Sequence, residues 1–160
     1  MDRANPSSDD PVERESSHVE CVAANDTQSF YDCNRIKETI SGPAFKNGAL
    51  LQLFDVTPED YQSERALDMF YSSSGINHAT QDAPPTCVSF YRYDMPMTED
   101  LSSGDGIHDP VFGRLLKEKM DSVGVRCDVY YREDVEEDDE DIAKGKLTDL
   151  RLAFIKEHLL

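Results

Sequence analysis

The chain has 160 residues, 38% of them apolar and 9% aromatic, enough for one globular domain with a modest core. Its 33 acidic residues against 16 basic ones give a formal charge of −17, which repels nucleic-acid phosphates and anionic membrane surfaces, so neither is an expected partner. No apolar stretch approaches the roughly 18–20 residues that span a bilayer, and the opening MDRANPSSDDPVERESS lacks a basic and an apolar signal segment; as written, a soluble cytoplasmic chain without export signal is expected.

Residues 1–17 are polar, with Pro6 and Pro11, and read as a mobile lead-in. His18 to Ala24, HVECVAA, is short and mostly apolar, as a strand covered on both faces should be. Helical segments follow around Arg35 to Ile40, stopped by Ser41-Gly42-Pro43, and around Lys46 to Phe54. A third begins after Thr57-Pro58-Glu59-Asp60, with Thr57 as N-cap and Pro58 at the first helical position. Residues 72–86 read as a loop, and Cys87 to Tyr93 as a strand that ends at Asp94.

Beyond a Gly- and Ser-bearing loop, Asp109-Pro110 marks a helix start. Val111, Phe112, Leu115, Leu116 and Met120 then recur at helical spacing up to Gly124, a residue suited to positive φ. Val125 to Tyr131 is the next strand. The acidic run from Glu133 to Asp141 reads as a solvated loop, and Leu147 to His158 as a closing helix. Strand, helix, strand, helix implies parallel strands joined by crossovers, so the fold class is α/β, about three parallel strands with covering helices. The four cysteines, Cys21, Cys33, Cys87 and Cys127, have no metal-ligand spacing and read as packing residues.

The series NHATQDAPPTCVSFYRYD, GIHDPVFGRLLKEKMDSVGV, RCDVYYRED and TDLRLAFIKEHL resembles the C-terminal part of α/β-hydrolase-fold esterases and lipases of the acetyl-esterase kind. In those enzymes a strand after a proline pair ends in the catalytic acid, a helix closed by G-V or G-I follows, and another strand delivers the histidine. Upstream, SSDDPVERESSHVECVAANDTQSFYD is similar to the stretch after the nucleophile helix in a bacterial branch of the family, and the helical segment to Tyr71 to its cap-like insertion. The resemblance implies a partial α/β-hydrolase fold: residues 18–160 as the last three strands of its sheet with their helices, and about 33–71 as the cap-like part. It implies that Asp94 stands at the place of the orienting acid.

Acyl transfer on this fold needs a serine in G-x-S-x-G, a histidine to take its proton, an acid to orient the histidine, and backbone donors for the oxyanion. Neither G-x-S-x-G nor an HGGG-type loop occurs in the chain, and residues 132–146, where the family's histidine belongs, read REDVEEDDEDIAKGK. His18, His78 and His158 lie away from the expected strand ends. Only His108, in what looks like the family's GIH-x-P element, falls in a loop at the carboxyl end of the Asp94 strand. The carboxylates between Asp100 and Asp109 and in the acidic run do not fit the calcium-loop spacing, so neither metal nor cofactor is expected.

The expected function is therefore a truncated or degenerate carboxylesterase- or lipase-like chain, inactive alone, that takes an ester substrate only where a complete site exists. Self-association through an exposed strand edge near His18 to Ala24 is expected with it. The alternatives are a non-catalytic acidic module that holds a basic partner, and a piece of an active ester hydrolase with an unconventional base such as His108.

Overall fold

The computed structural model describes residues 4–93 and 102–159. In chain order they form α1 (Pro11–Arg14), β1 (Val22–Asn25), α2 (Cys33–Thr39), α3 (Gly48–Leu53), α4 (Glu64–Ser73), α5 (Gly75–His78), β2 (Thr86–Ser89), α6 (Ser103–Gly106), α7 (Val111–Ser122), β3 (Cys127–Tyr130) and α8 (Glu140–Leu159). Two 3₁₀ turns, Ala44–Lys46 and Arg132–Val135, precede α3 and α8. The strands make one parallel sheet in the order β1-β2-β3, with Val22, Thr86 and Cys127 side by side in the first row and Asn25, Ser89 and Tyr130 in the last.

Helices cover both faces, because alternate residues of a strand point opposite ways. The Ala24, Val88 and Val129 row packs with Phe112 of α7 and with the small helices α2 to α5 in the main core. The opposite face carries Tyr130, which packs with Val135, Ala143 and Leu147 beneath α8. Phe30, Phe70, Phe90 and Phe112 are fully buried, each stabilising the fold by about 1.5–3 kcal/mol, and Phe30 meets Phe112 at 4.7 Å between ring centroids. The serine hydroxyl of Ser29 donates to Phe112 O at 2.8 Å, tying the segment after β1 to the start of α7.

The strands are shorter than their sequence runs, for identifiable reasons. Pro84 and Pro85 bring no N–H to the ladder, so pairing starts where Val22 N donates to Pro85 O at 2.9 Å. Residues 18–21 therefore lie outside β1. At the other end Asp26 takes φ of 44° and ends the strand. The run after β2 stays close to β3 without forming a regular ladder: Phe90 N donates to Tyr130 O and Arg132 N to Arg92 O.

Thr57 does not cap a helix. Asp60 Oδ1 instead accepts from Thr57 N at 2.6 Å, closing a turn, and α4 starts later with Ser63 Oγ accepting from Ala66 N. The helix expected from Lys46 divides into a 3₁₀ turn and α3, because Asn47 caps the latter by accepting from Ala49 N and Leu50 N. Within the expected loop at 72–86, α5 forms around buried Ile76. The polar lead-in contains the single turn α1, capped by Asp10. Asp109 caps as expected: its Oδ1 accepts from Val111 N at 2.7 Å.

The acidic run is only partly loop. Asp139 Oδ1 accepts from Asp141 N and Ile142 N, and α8 begins at Glu140 rather than Leu147. Carboxylates belong there, since a helix N-terminus presents unpaired N–H groups and a positive dipole end.

Gly113 sets the distance between α7 and the sheet. A Cβ on it would lie 2.3 Å from Phe90 Cε2 and 2.9 Å from Val129 Cγ1. Gly113→Ala should lower stability by about 1–3 kcal/mol, the usual cost of overpacking a core. An unchanged urea midpoint would show that the helix does not sit that close.

The free cysteines Cys33, Cys87 and Cys127 are buried, and burial is the first cause that pushes each thiol from its ordinary 9.0 up to about 11. Their unfolded forms start to ionise near 9 while the native forms hold their protons, so their contribution makes stability fall as pH rises from 9 towards 11. Cys21 is half-exposed. At pH 8 a chromogenic disulfide reagent should modify Cys21 in the native protein and the other three only on unfolding; native reaction of all four would overturn the burial.

Candidate functional site

In open parallel sheets, chemistry gathers where the strands end at their carboxyl termini. Here that edge is built from Asn25 at the end of β1 and Asp26 after it, Ser89 to Arg92 at the end of β2, and the segment 102–109 that leads into α7. Asp94 lies outside the described residues.

Asp26 links three of these pieces. Its Oδ1 accepts from Tyr91 N at 3.1 Å, its Oδ2 from Asn25 Nδ2 at 2.8 Å, and its carbonyl oxygen lies 2.9 Å from His108 Nδ1. The left-handed backbone of Asp26 aims these groups, and Asp tolerates that conformation better than most residues. Gln28 Nε2 donates to Ile107 O at 2.7 Å, fastening the His108 loop to the β1 end a second time.

The contact at His108 fixes its tautomer. A carbonyl oxygen only accepts, so Nδ1 carries the hydrogen and, in the neutral ring, Nε2 keeps its lone pair. The side chain is exposed. His108 thus has the orientation of a base whose second nitrogen faces outward, held by a backbone carbonyl where a triad would use a carboxylate.

The serine nearest this edge in the sheet, Ser89, is fully buried and its Oγ donates to Asn25 Oδ1 at 3.2 Å. It bridges β1 to β2 and presents no nucleophile. Beside it, Arg92 pairs with Asp105, and Ser102 Oγ donates to Asp105 Oδ2 at 2.7 Å. The Ser102 hydrogen bond, and then Arg92, hold the Asp105 carboxyl below its ordinary value. That assembly folds the 102–106 segment over the end of β2. Burial, followed by Asp128, pushes the Tyr130 phenol up.

Two of the other histidines serve their own local structure. His78 Nε2 lies 2.9 Å from Ser72 O, and His158 Nδ1 lies 2.9 Å from Phe154 O with its ring against Phe154. Among the described residues no group of three or more His, Cys, Asp or Glu side chains is placed to hold a metal ion. No helix of the described residues is long and apolar enough to cross a membrane.

Asp26 was absent from the residues singled out by sequence. Its signal is faint: Asn25-Asp26-Thr27 is a polar group directly after an apolar run, the composition of a turn. Only the fold brings it against His108, which lies far along the chain.

No family model, no curated protein and no solved structure matches the chain.

The tautomer of His108 is open to measurement. Long-range proton–nitrogen correlation spectra should give, for the neutral ring, a protonated Nδ1 and a bare Nε2. The opposite tautomer would remove the Asp26 contact and with it the outward-facing base.

Proposed function

We propose that the chain is an esterase-like α/β layer, of the kind found in the C-terminal part of the α/β-hydrolase fold, that does not hydrolyse esters by itself and associates with a second copy through the open edge of β1. The observation that carries the first part is the segment after β3. Where the resemblance calls for a histidine, the chain turns through Arg132–Val135 and enters α8 on carboxylates. Three parallel strands in sequence order, with helices on both faces, support the family reading.

The edge supports the second part. Val22 N and Asp26 N donate towards β2, so by alternation the N–H groups of Ala23 and Asn25 point away from the sheet. Cys21 to Asn25 are all half-exposed, and Val19 just before them is 51% exposed. A strand edge is complementary to itself about a two-fold axis, which makes a second copy its simplest occupant. The charge of −17 opposes association, so the pairing strengthens as salt screens it.

Short p-nitrophenyl esters should be turned over no faster than in buffer. Turnover that disappears in Asp94→Asn or His108→Gln would overturn the inactive reading. In sedimentation velocity at roughly 0.15 M salt, where charges are screened beyond about 8 Å, a dimer should grow with concentration. Ala23→Pro, which removes one outward N–H and is tolerated at a sheet edge, should abolish it. A monomer at every concentration, or a dimer indifferent to the substitution, would overturn the edge pairing.

A further inference from the structure

A cavity lies away from the strand ends, between α2, the α4–α5 corner and α7. It holds about 460 Å³ and is lined by Arg35, Tyr71, Ile76, Asn77, Leu115, Glu118 and Lys119. That volume falls within the range of small-molecule sites. We propose that this cleft binds a small organic monocarboxylate with an apolar body.

The cations carry the argument. In a chain with about twice as many acids as bases, several cationic side chains are already neutralised by a carboxylate: Arg65 by Asp55, Arg92 by Asp105, Lys117 by Asp121, and Arg126 by both Asp128 and Glu157. Among the described residues the side chains of Arg35 and Lys119 make no ion pair and no hydrogen bond, although both are half-buried and line one cavity. Arg35 is oriented all the same. Its guanidinium lies over the Phe30 ring, 4.2 Å from the centroid, which fixes the plane and leaves the N–H edge to a ligand.

The opposite wall is fixed by hydrogen bonds of its own. Buried Ser74 accepts from Tyr31 N at 2.9 Å and donates to Phe70 O at 2.6 Å, and Ile76 N donates to Ser29 O at 3.0 Å. Asn77 Nδ2 donates to Tyr71 O at 3.1 Å, so the α4–α5 corner is held in shape. Ile76 and Leu115 supply an apolar floor, and the Tyr71 ring, 62% exposed, stands at the mouth. Two cations favour one carboxylate, Glu118 on the same wall disfavours a polyanion, and the floor takes an aliphatic or aromatic body. The inference is independent of the esterase-like reading, since the cleft shares no residue with the carboxyl edge of the sheet.

Benzoate, benzyl alcohol and inorganic phosphate separate the contributions. Titrated into the full chain and followed by amide proton–nitrogen spectra, benzoate should give saturable shifts centred on Asn77, Leu115 and Lys119. It should bind at least tenfold more tightly than benzyl alcohol or phosphate. Arg35→Gln and Lys119→Gln should each weaken benzoate threefold or more and leave benzyl alcohol unchanged. Lys119 is only half-buried and its side chain makes no bond that the fold depends on, so its variant keeps the test alive if Arg35→Gln fails to fold. Unsaturable shifts, shifts centred elsewhere, equal affinity for benzyl alcohol, or tighter binding of phosphate would each overturn the proposal.

Discussion

Four residues, Thr86–Ser89, are hydrogen-bonded to neighbours on both sides and buried on both faces, and the other elements are arranged around them. Cys87 faces the α8 side and Val88 the α7 side, so β2 contributes to two cores at once. A strand so placed has little tolerance for register slip, since moving by one residue would put Cys87 and Ser89 where Thr86 and Val88 stand, and the reverse on the other face. Its length is set by the prolines before it and by the departure of Tyr91 and Arg92 after it. β1 and β3 are then no longer than the partner they read.

Charge is distributed to suit this framework. The guanidinium of Arg126 is gripped by Asp128 Oδ2 at 2.7 Å and Glu157 Oε1 at 2.6 Å, clamping β3 to the last turns of α8. Asp128 first, then Glu157, push Arg126 up, and Arg126 in turn holds the Glu157 carboxyl down. Near the other end of α8, Lys146 Nζ reaches both Val135 O and Glu137 Oε2, while Arg132 Nη2 donates to Asp138 O. Two cations therefore fold the acidic run back onto the helix that it introduces. Arg132 is 6% exposed and its Nε has no hydrogen-bond partner, so part of the cost of ordering so many carboxylates is a guanidinium taken out of water.

Much of this was legible in the residues. Three apolar runs gave the three parallel strands, Asp109-Pro110 the start of α7, and Gly124, at φ of 76°, its end. What escaped reading were competitions between short-range bonds. Thr57-Pro58 has the form of a helix start, yet Asp60 reaches Thr57 first; Glu140 and Asp141 have the form of a solvated loop, yet Asp139 caps a helix over them. Local composition allows both outcomes in each case, and packing decides: α8 gains a buried Ala143 by starting early. The helix of lowest amphipathic contrast was the one whose beginning was hardest to place.

The site was legible only in halves, because its geometry depends on pairs remote in sequence. His108 stands out as a histidine near a strand end, but nothing in its neighbours tells that Asp26 will offer it a carbonyl. Asp26 in turn can do so only because its backbone turns left-handed where β1 stops. The consequence for chemistry is specific. An imidazole held by a carbonyl keeps its tautomer, but gains little of the charge stabilisation that a carboxylate gives an imidazolium when it takes a proton. Asp26 spends its own carboxylate on Tyr91 N and Asn25 Nδ2, bonds that close the end of the sheet. The Asp26 carboxyl group is thus committed to the fold, and His108 Nδ1 is held by the backbone carbonyl of the same residue.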